Sequence, residues 1–328
     1  MGVEPRKNTS ESPGLPESSL IIPSRNRPEL LLSTVKSILQ GAEVPTELIV
    51  IDQSSAPHPT LASIATNRAC EIRYLWTKSI GVSRARNMGI GAARYNILAF
   101  TDDDVNVTST WYGALIGALI SAGPRAVISG RVLPGIVQRP GGFVPSTKTD
   151  EKRAVYAGRI GEDVLYTNNA AMFRSAVEEV GSFDVRLGAG SIFSNAEDND
   201  LGFRLLEAGY HIFYVPEAVL YHCAWRDEKD YLPLRWSYGR GQGAYYAKHL
   251  SLRDQYMLRR MLRHVKNHCI GCLRRVRRQR LLAYGDGIYL LGLFSGVAQW
   301  LVTQRWMMSS EESHSATGVY DSDREALK

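Results

Sequence analysis

The stretch NILAFTDDDV, residues 96–105, opens as a buried strand through Asn96, Ile97, Leu98, Ala99 and Phe100 and then delivers three carboxylates, Asp102, Asp103 and Asp104. Adjacent acids repel one another and gain nothing from packing, so their place at a strand exit points to a cation. Hard oxygen ligands suit Mg2+ or Mn2+, and an ion held by few carboxylates keeps positions open for a diphosphate. The plainer reading is an acidic turn or helix start, where Asp is also favoured.

Working outward, the first two hundred residues alternate strand and helix signals, which predicts an α/β domain with a mainly parallel sheet. SLIIP, residues 19–23, is the first strand; SRNR leads to Pro28, suited to a helix start, and apolar spacing continues to Leu39 before Gly41. ELIVI (47–51) stops at Asp52, a helix is expected at 58–68, and EIRYLW (71–76) is a strand. GVSRARNMGIGAARY then enters a helix with Arg84 and Arg86 in its first half, a place suited to phosphate. A helix at 108–121, a strand at 126–132 and a Pro/Gly-rich loop at 134–160 follow; the loop is too long for a mere connector and is expected to face substrate. YTNNAAMF leads to a short helix at 174–180, the next helix ends near Gly209, and HIFYVP and AVLYH read as strands. Ligands of open α/β sheets gather beyond the carboxyl ends of strands, where Arg25, Asp52 and the three acids all fall.

The 328 residues allow one large or two modest domains, with ordinary hydrophobic (44%) and charged (22%) content. Residues 251–280 carry nine Arg and one Lys against Asp254, whereas the whole chain is only +6, so basicity is local. No nucleic-acid partner is expected. The N-terminus has no apolar signal region, and Arg6 stands where a myristoylation pattern needs Ser or Thr. Four cysteines without such a signal point to a reducing compartment. HVKNHCIGC contains His264, His268, Cys269 and Cys272, but on a helix positions 264, 268 and 272 span roughly 12 Å of rise, too far for one tetrahedral ion. Helix packing is the expected role. GxGxxG after the first strand and the P-loop pattern are both absent, which removes dinucleotide and P-loop readings.

Glu197, Asp198 and Asp200 open a helix; Ser194 with Glu197 fits a capping box, while a general base is the functional alternative. His222 closes the strand AVLYH, where a packed or surface histidine is the ordinary reading.

These pieces, in this order, resemble family-2 glycosyltransferases of the GT-A fold, across roughly residues 18–225. The matching segments are SLIIPSRNRPELLLSTVKSI, ELIVIDQSS, GVSRARNMGI, LAFTDDDV, TNNAAMFRSAVEEVGSFDVRLG, AEDNDLGFRLLEAGY and VLYH. The resemblance implies a nucleotide-wrapping loop at Pro23, Ser24 and Arg25, with Asp52 on the base or ribose and Arg86 near the nucleotide. It implies a DxD pair in Asp102 and Asp104, with Asp104 touching metal, and leaves Asp103 less defined. Glu197 and Asp198 match the ED motif, with Asp198 the base; His222 matches a histidine that completes the metal shell; Asn168 and Asn169 match sugar contacts. The implied reaction inverts the anomeric carbon of a nucleotide-diphosphate sugar, with Mn2+ or Mg2+ on the leaving group, toward an unknown glycan or lipid-linked acceptor. A nucleotidyltransferase acting on a sugar phosphate would need a glycine-rich loop after the first strand, and here that loop is SRNRPE. The other alternative is a catalytically silent, membrane-bound scaffold that binds sugar nucleotides.

The chain is thus divided into a disordered 1–17, a GT-A domain at 18–229, a helical basic region at 230–308 and a disordered tail at 309–328. LLAYGDGIYLLGLFSGVAQWLV (281–302) has Asp286 as its only charge and a Gly292–Gly296 step, and follows LRRVRRQR. This predicts an interfacial or re-entrant helix at the cytoplasmic face of an anionic membrane. A covered core helix is the alternative.

Overall fold

A computed structural model of the chain describes residues 14–58, 70–137 and 139–317, with side chains as far as residue 304. The helix expected at 58–68 and most of both terminal segments lie outside the described residues.

The α/β part runs β1 (Ser18–Ser24), α1 (Pro28–Leu39), β2 (Glu47–Asp52), β3 (Glu71–Trp76), α2 (Val82–Ala92), β4 (Ile97–Thr101), β5 (Val105–Val107), α3 (Trp111–Ala122) and β6 (Ala126–Pro134). It continues as β7 (Ala154–Tyr156), β8 (Asn169–Phe173), α4 (Arg174–Val180), α5 (Glu197–Glu207) and β9 (His211–His222). The strands form one sheet in the order β3-β2-β1-β4-β8-β6-β9-β5, with β7 beside β9. Its first half, β3-β2-β1-β4, is wholly parallel. Antiparallel pairs enter with β8, which runs against both β4 and β6. Past β4 the sheet is therefore mixed and not mainly parallel, because the 134–160 loop carries the chain around to insert β8 between existing strands. That loop also contains β7. HIFYVP and AVLYH are one strand, β9, whose register against β6 shifts between Gly130 and Arg131.

Strand alternation splits the core between two faces. Leu20 and Ile22 of β1 and Ile97 and Ala99 of β4 pack with Leu31, Val35, Trp111 and Leu115. Ile21, Leu98 and Phe100 pack instead with Leu201, Leu205 and Ile212. A Cβ at Gly89 would lie 2.4 Å from Ile21 Cγ2, so only glycine lets α2 approach β1 this closely.

Three helices follow: α6 (Tyr231–His249), α7 (Tyr256–Arg275) and α8 (Arg280–Thr317). α8 continues into the segment read as a loose tail, since extending a helix is far easier than nucleating one. These helices pack onto the α/β part: Ala196 shares a cluster with Tyr245, Tyr246, Met257, Tyr289 and Leu293. The predicted Gly292–Gly296 step does bring helices together, but the partner is α6 of the same chain. A Cβ on Gly296 would stand 2.1 Å from Arg240 O, and one on Gly243 2.0 Å from Leu293 O. His264 and His268 stack on each other and on Tyr289, which is helix packing. Cys269 is exposed.

Candidate active site

Because β1, β2 and β4 are parallel, their carboxyl ends share one edge, and Ser24 pairs with Asp52 in register. The turn after β4 is fixed there from below: buried Thr34 of α1 donates to Val105 O at 2.8 Å and accepts from Val105 N–H at 3.1 Å. β5 then pairs antiparallel with β9, setting Val105 opposite His222, and Cys223 N–H donates to Asp104 O at 2.7 Å. This pairing carries the histidine to the acids.

A cleft of about 340 Å3 opens at that edge. It is lined by Pro23, Ser24, Arg25, Arg86, Asp102, Asp103, Asp104, Glu197 and His222, nine of the residues expected from sequence. The three acids have separate surroundings. Asp102 accepts from Arg86 at 3.0 Å. Asp103 accepts from Ser24 Oγ at 2.7 Å and Arg27 Nη1 at 3.1 Å. Asp104 accepts from Arg27 Nη1 at 2.6 Å, and its other oxygen, Oδ1, lies 3.2 Å from His222 Nε2. Burial and the Asp104 charge push Asp103 above the usual carboxylate range. Burial also acts to raise Asp104, but His222 and Arg27 outweigh it and hold that acid low. Two like charges side by side are thus pulled apart in pKa.

The residues present fit a hard divalent ion. Candidate ligand atoms of Asp102, Asp104 and His222 lie within 4.8 Å of one another, and buried Asp104 Oδ1 has His222 Nε2 beside it but completes no well-formed hydrogen bond among the described residues. Two carboxylates and an imidazole suit Mn2+ or Mg2+.

Arg86 lines the cleft from beneath its surface. It is 2% exposed and its guanidinium joins Asp102 to Glu197 (3.2 Å) and Asp198 (3.3 Å). This buried cation ties the two acidic motifs together; Arg84, on the exposed face of α2, is outside the lining. Asp198 also accepts from Thr167 N–H at 3.2 Å and from Thr167 Oγ1. Burial raises both Glu197 and Asp198, the first helped by its acidic neighbour and both opposed by Arg86. The capping box is not formed: the residue before α5 is Ala196, with a left-handed φ of 74°, and Ser194 Oγ turns to Ser191 O. That strained residue sets the direction of the ED pair.

Four expected residues, Asp52, Asn168, Asn169 and Asp198, do not line the cleft. Asp52 is buried and its oxygens are taken by Ser54 and Tyr74. Gln53 lines the cleft in its place. Asn169 is a correction: it is fully buried in the sheet, accepting from Trp111 Nε1 and donating to Arg131 O and Ala218 O. Asn168 is buried beside it with Oδ1 unpartnered. Asp198 borders a small crevice by Gly158 and Asp163 while Glu197 faces the main cleft. Asp200 is a structural anchor, ion-paired with Arg204, Lys248 and His249.

Sequence reasoning missed Arg27, Arg226 and Tyr238 among the lining residues. Arg27 was legible as the second arginine of SRNR, next to the loop already singled out. Pro145 and Ser146 come from the loop expected to face substrate, and Pro145 O lies 3.0 Å from His222 Nδ1. Arg226 and Tyr238 carried no signal.

Residues 19–181 match the family model described as glycosyl transferase family 2. A pre-mycofactocin glycosyltransferase of Mycobacterium tuberculosis is 30% identical over 67% of this chain and 46% of its own length. The chain thus spans about half of that relative. The O-antigen chain rhamnosyltransferase RfbN of Salmonella typhimurium is 27% identical over 62% of this chain and 65% of its own. Among solved structures, a mannosyltransferase from Pyrobaculum calidifontis in complex with GDP-Man and Mn2+ aligns with a TM-score of 0.58 at 15% identity, over 86% of this chain and 87% of that one. TarS of S. aureus (residues 1–349) aligns with a TM-score of 0.54 at 16% identity, over 87% and 83%. These likenesses show the fold, that of GT-A glycosyltransferases with a helical C-terminal region.

Proposed function

Since residues 19–181 make this chain a member of glycosyltransferase family 2, we propose that it is an inverting, metal-dependent enzyme that moves a sugar from a nucleotide-diphosphate donor to an acceptor hydroxyl, in assembly of a cell-surface glycan or glycolipid. The observation that carries this reading is the single cleft in which Asp102, Asp104 and His222 sit beside Glu197, joined through Arg86. A divalent cation held by those three ligands would neutralise charge developing on the departing nucleotide diphosphate. Arg27 and Arg86 keep the ligand carboxylates aimed. Pro23, Ser24 and Arg25 border the donor's place, and Asp52 stiffens the loop behind it through Ser54.

Asp198 deprotonates the acceptor hydroxyl as it attacks the anomeric carbon, a role worth about 10²–10⁴-fold. Its raised pKa makes it a better proton acceptor than a free aspartate. One observation favours a second reading: Glu197, not Asp198, faces the cleft, with its own pKa raised. On that reading Glu197 is the base and Asp198 orients it through Arg86.

The enzyme works at the cytoplasmic face of a membrane, on a glycan or lipid-linked acceptor. The support is the apolar Arg280–Gln304 stretch, long enough to cross a bilayer, beside the basic run 273–280.

The test is a panel of UDP-, GDP- and dTDP-sugars with Mn2+ and Mg2+, following free nucleotide diphosphate, run on wild type, Asp198→Asn and Glu197→Gln. Release by wild type with one donor is expected, with Asp198→Asn below about a tenth of that turnover and donor affinity retained. Loss in Glu197→Gln with Asp198→Asn active moves the base to Glu197. Donor binding without release under any condition would mean a silent scaffold.

A further inference from the structure

α8 is apolar on both faces. Its inward face buries Tyr289, Leu293 and Trp300, and beside them Gly285, Asp286, Gly292 and Gly296 lie against α6 and α7. Asp286 is held by Arg235, His268 and Arg275 at 3.3, 2.8 and 2.8 Å. The outward face is apolar and bulky as well: Tyr284 is 66% exposed, Leu291 61% and Phe294 53%, continuing through Leu301 and Val302. Tyr284, Leu291, Phe294 and Leu301 are seven, three and seven residues apart, so they fall on one stripe of the helix. A helix with one face in the core and the other in water would carry polar residues on that outer stripe. The tightly packed inner face also keeps α8 within the fold instead of letting it span a bilayer alone.

Beside this stripe, a groove of about 700 Å3 runs between α7 and α8, lined by Cys272, Val276, Tyr284, Ile288, Leu291 and Phe294. Its volume is that of a small-molecule site. Arg280 stands in its wall, and Arg274, Arg277 and Arg278 are exposed on the adjoining turns. An apolar trough with cations at one end matches an amphiphile with a hydrocarbon tail and an anionic head. A Cβ at Gly287 meets nothing within 4 Å, so the groove is open there.

We propose that this groove is a lipid-chain site, taking one hydrocarbon chain whose phosphate-bearing head lies on the arginines around Arg280. The inference deepens the membrane-face reading, on which it rests: the bilayer supplies the occupant, and the chain holds the enzyme to the surface from which the acceptor comes.

The experiment titrates full-length protein with dodecyl phosphate, decyl phosphate and inorganic phosphate below micelle formation, and separately sediments it with phosphatidylglycerol vesicles. Dodecyl phosphate is expected to bind saturably, one per chain. Decyl phosphate should bind roughly 15-fold more weakly, the worth of two buried methylenes, and inorganic phosphate not measurably. Gly287→Phe should fill the groove and weaken dodecyl phosphate at least tenfold without lowering Tm, and Arg280→Gln should weaken it less. Gly287→Phe should still sediment with vesicles, because the outer stripe and arginines remain. Affinity that ignores chain length, or that survives Gly287→Phe, overturns the groove. So does a wild-type dimer that Gly287→Phe makes monomeric without any dodecyl phosphate binding. Vesicle sedimentation without saturable dodecyl phosphate sinks the groove alone, whereas saturable binding without sedimentation sinks the membrane-face reading and leaves the groove standing.

Discussion

Asp102, Asp103 and Asp104 stand side by side in sequence yet meet three different partners: Arg86, Ser24 with Arg27, and Arg27 with His222. The outer two point at one place, and the middle acid neutralises the arginine that steadies the third. Asp104→Ala should therefore abolish metal-dependent nucleotide binding, weakening it at least about a hundredfold. The fold should survive, because removing Asp104 relieves the like charge on Asp103 and leaves Arg27 its other acid. Calorimetry with UDP, GDP and dTDP in Mn2+, alongside a melting curve, checks both halves; unchanged affinity would refute the metal assignment. That these acids reach the cleft was legible at this scale from their place after a buried strand. Their partners were not, since Asp52 and Asn169 look as functional in sequence as Asp104 does, and only packing shows their polar atoms already taken.

Between elements, the α6–α8 contact depends on glycine. At Gly243 an added methyl would meet a backbone oxygen, Leu293 O, which cannot swing aside as a side chain would. Gly243→Ala should lower stability by about 1–3 kcal/mol despite the better helix former. Gly287→Ala, on open surface, should raise it by up to about 1 kcal/mol. Urea unfolding of the two variants settles the comparison, and equal signs would sink the close-packing account. α5 is tied to α6 electrostatically. Asp200, fully buried, is held down to about 2 by its hydrogen bond with His249 and by the charges of Arg204 and Lys248, in spite of its burial. A pKa lowered on folding gives stability that is full above the unfolded value, near pH 4, and is lost as pH falls toward 2. The loss should be on the order of 2 kcal/mol. Acid titration of unfolding free energy, with Asp200→Asn as control, should show that drop in wild type and not in the variant.

For the whole molecule, the question is whether the α/β part stands without the last three helices. Ending the chain at Asp230 would remove Lys248 and His249 from Asp200 and Arg260 and Gln242 from Asp163. It would also uncover Ala196 and Phe193 and take Tyr238 from the cleft. Removing one partner of a buried ion pair is strongly destabilising, about 3–5 kcal/mol, and Asp200 would keep Arg204 alone. The truncated chain should lose its cooperative thermal transition by near-ultraviolet circular dichroism. A soluble truncation that melts cooperatively would show the helices to be an appendage.

The sequence by itself determined where strands and helices run, the edge at which polar residues collect, and the family, because periodicity and segment order are properties of neighbouring residues. It also marked the Pro/Gly-rich loop as facing the cleft. Tertiary structure alone decided which acid each cation meets. Arg86 reaches Glu197 across 111 residues of chain, and His222 reaches Asp104 only because β5 pairs with β9. It likewise decided that the glycine step of α8 packs inward, on α6, together with Tyr289, Leu293 and Trp300, while Tyr284, Leu291 and Phe294 turn outward. A local pattern shows that a helix has two faces; which face is covered depends on the segment that packs against it.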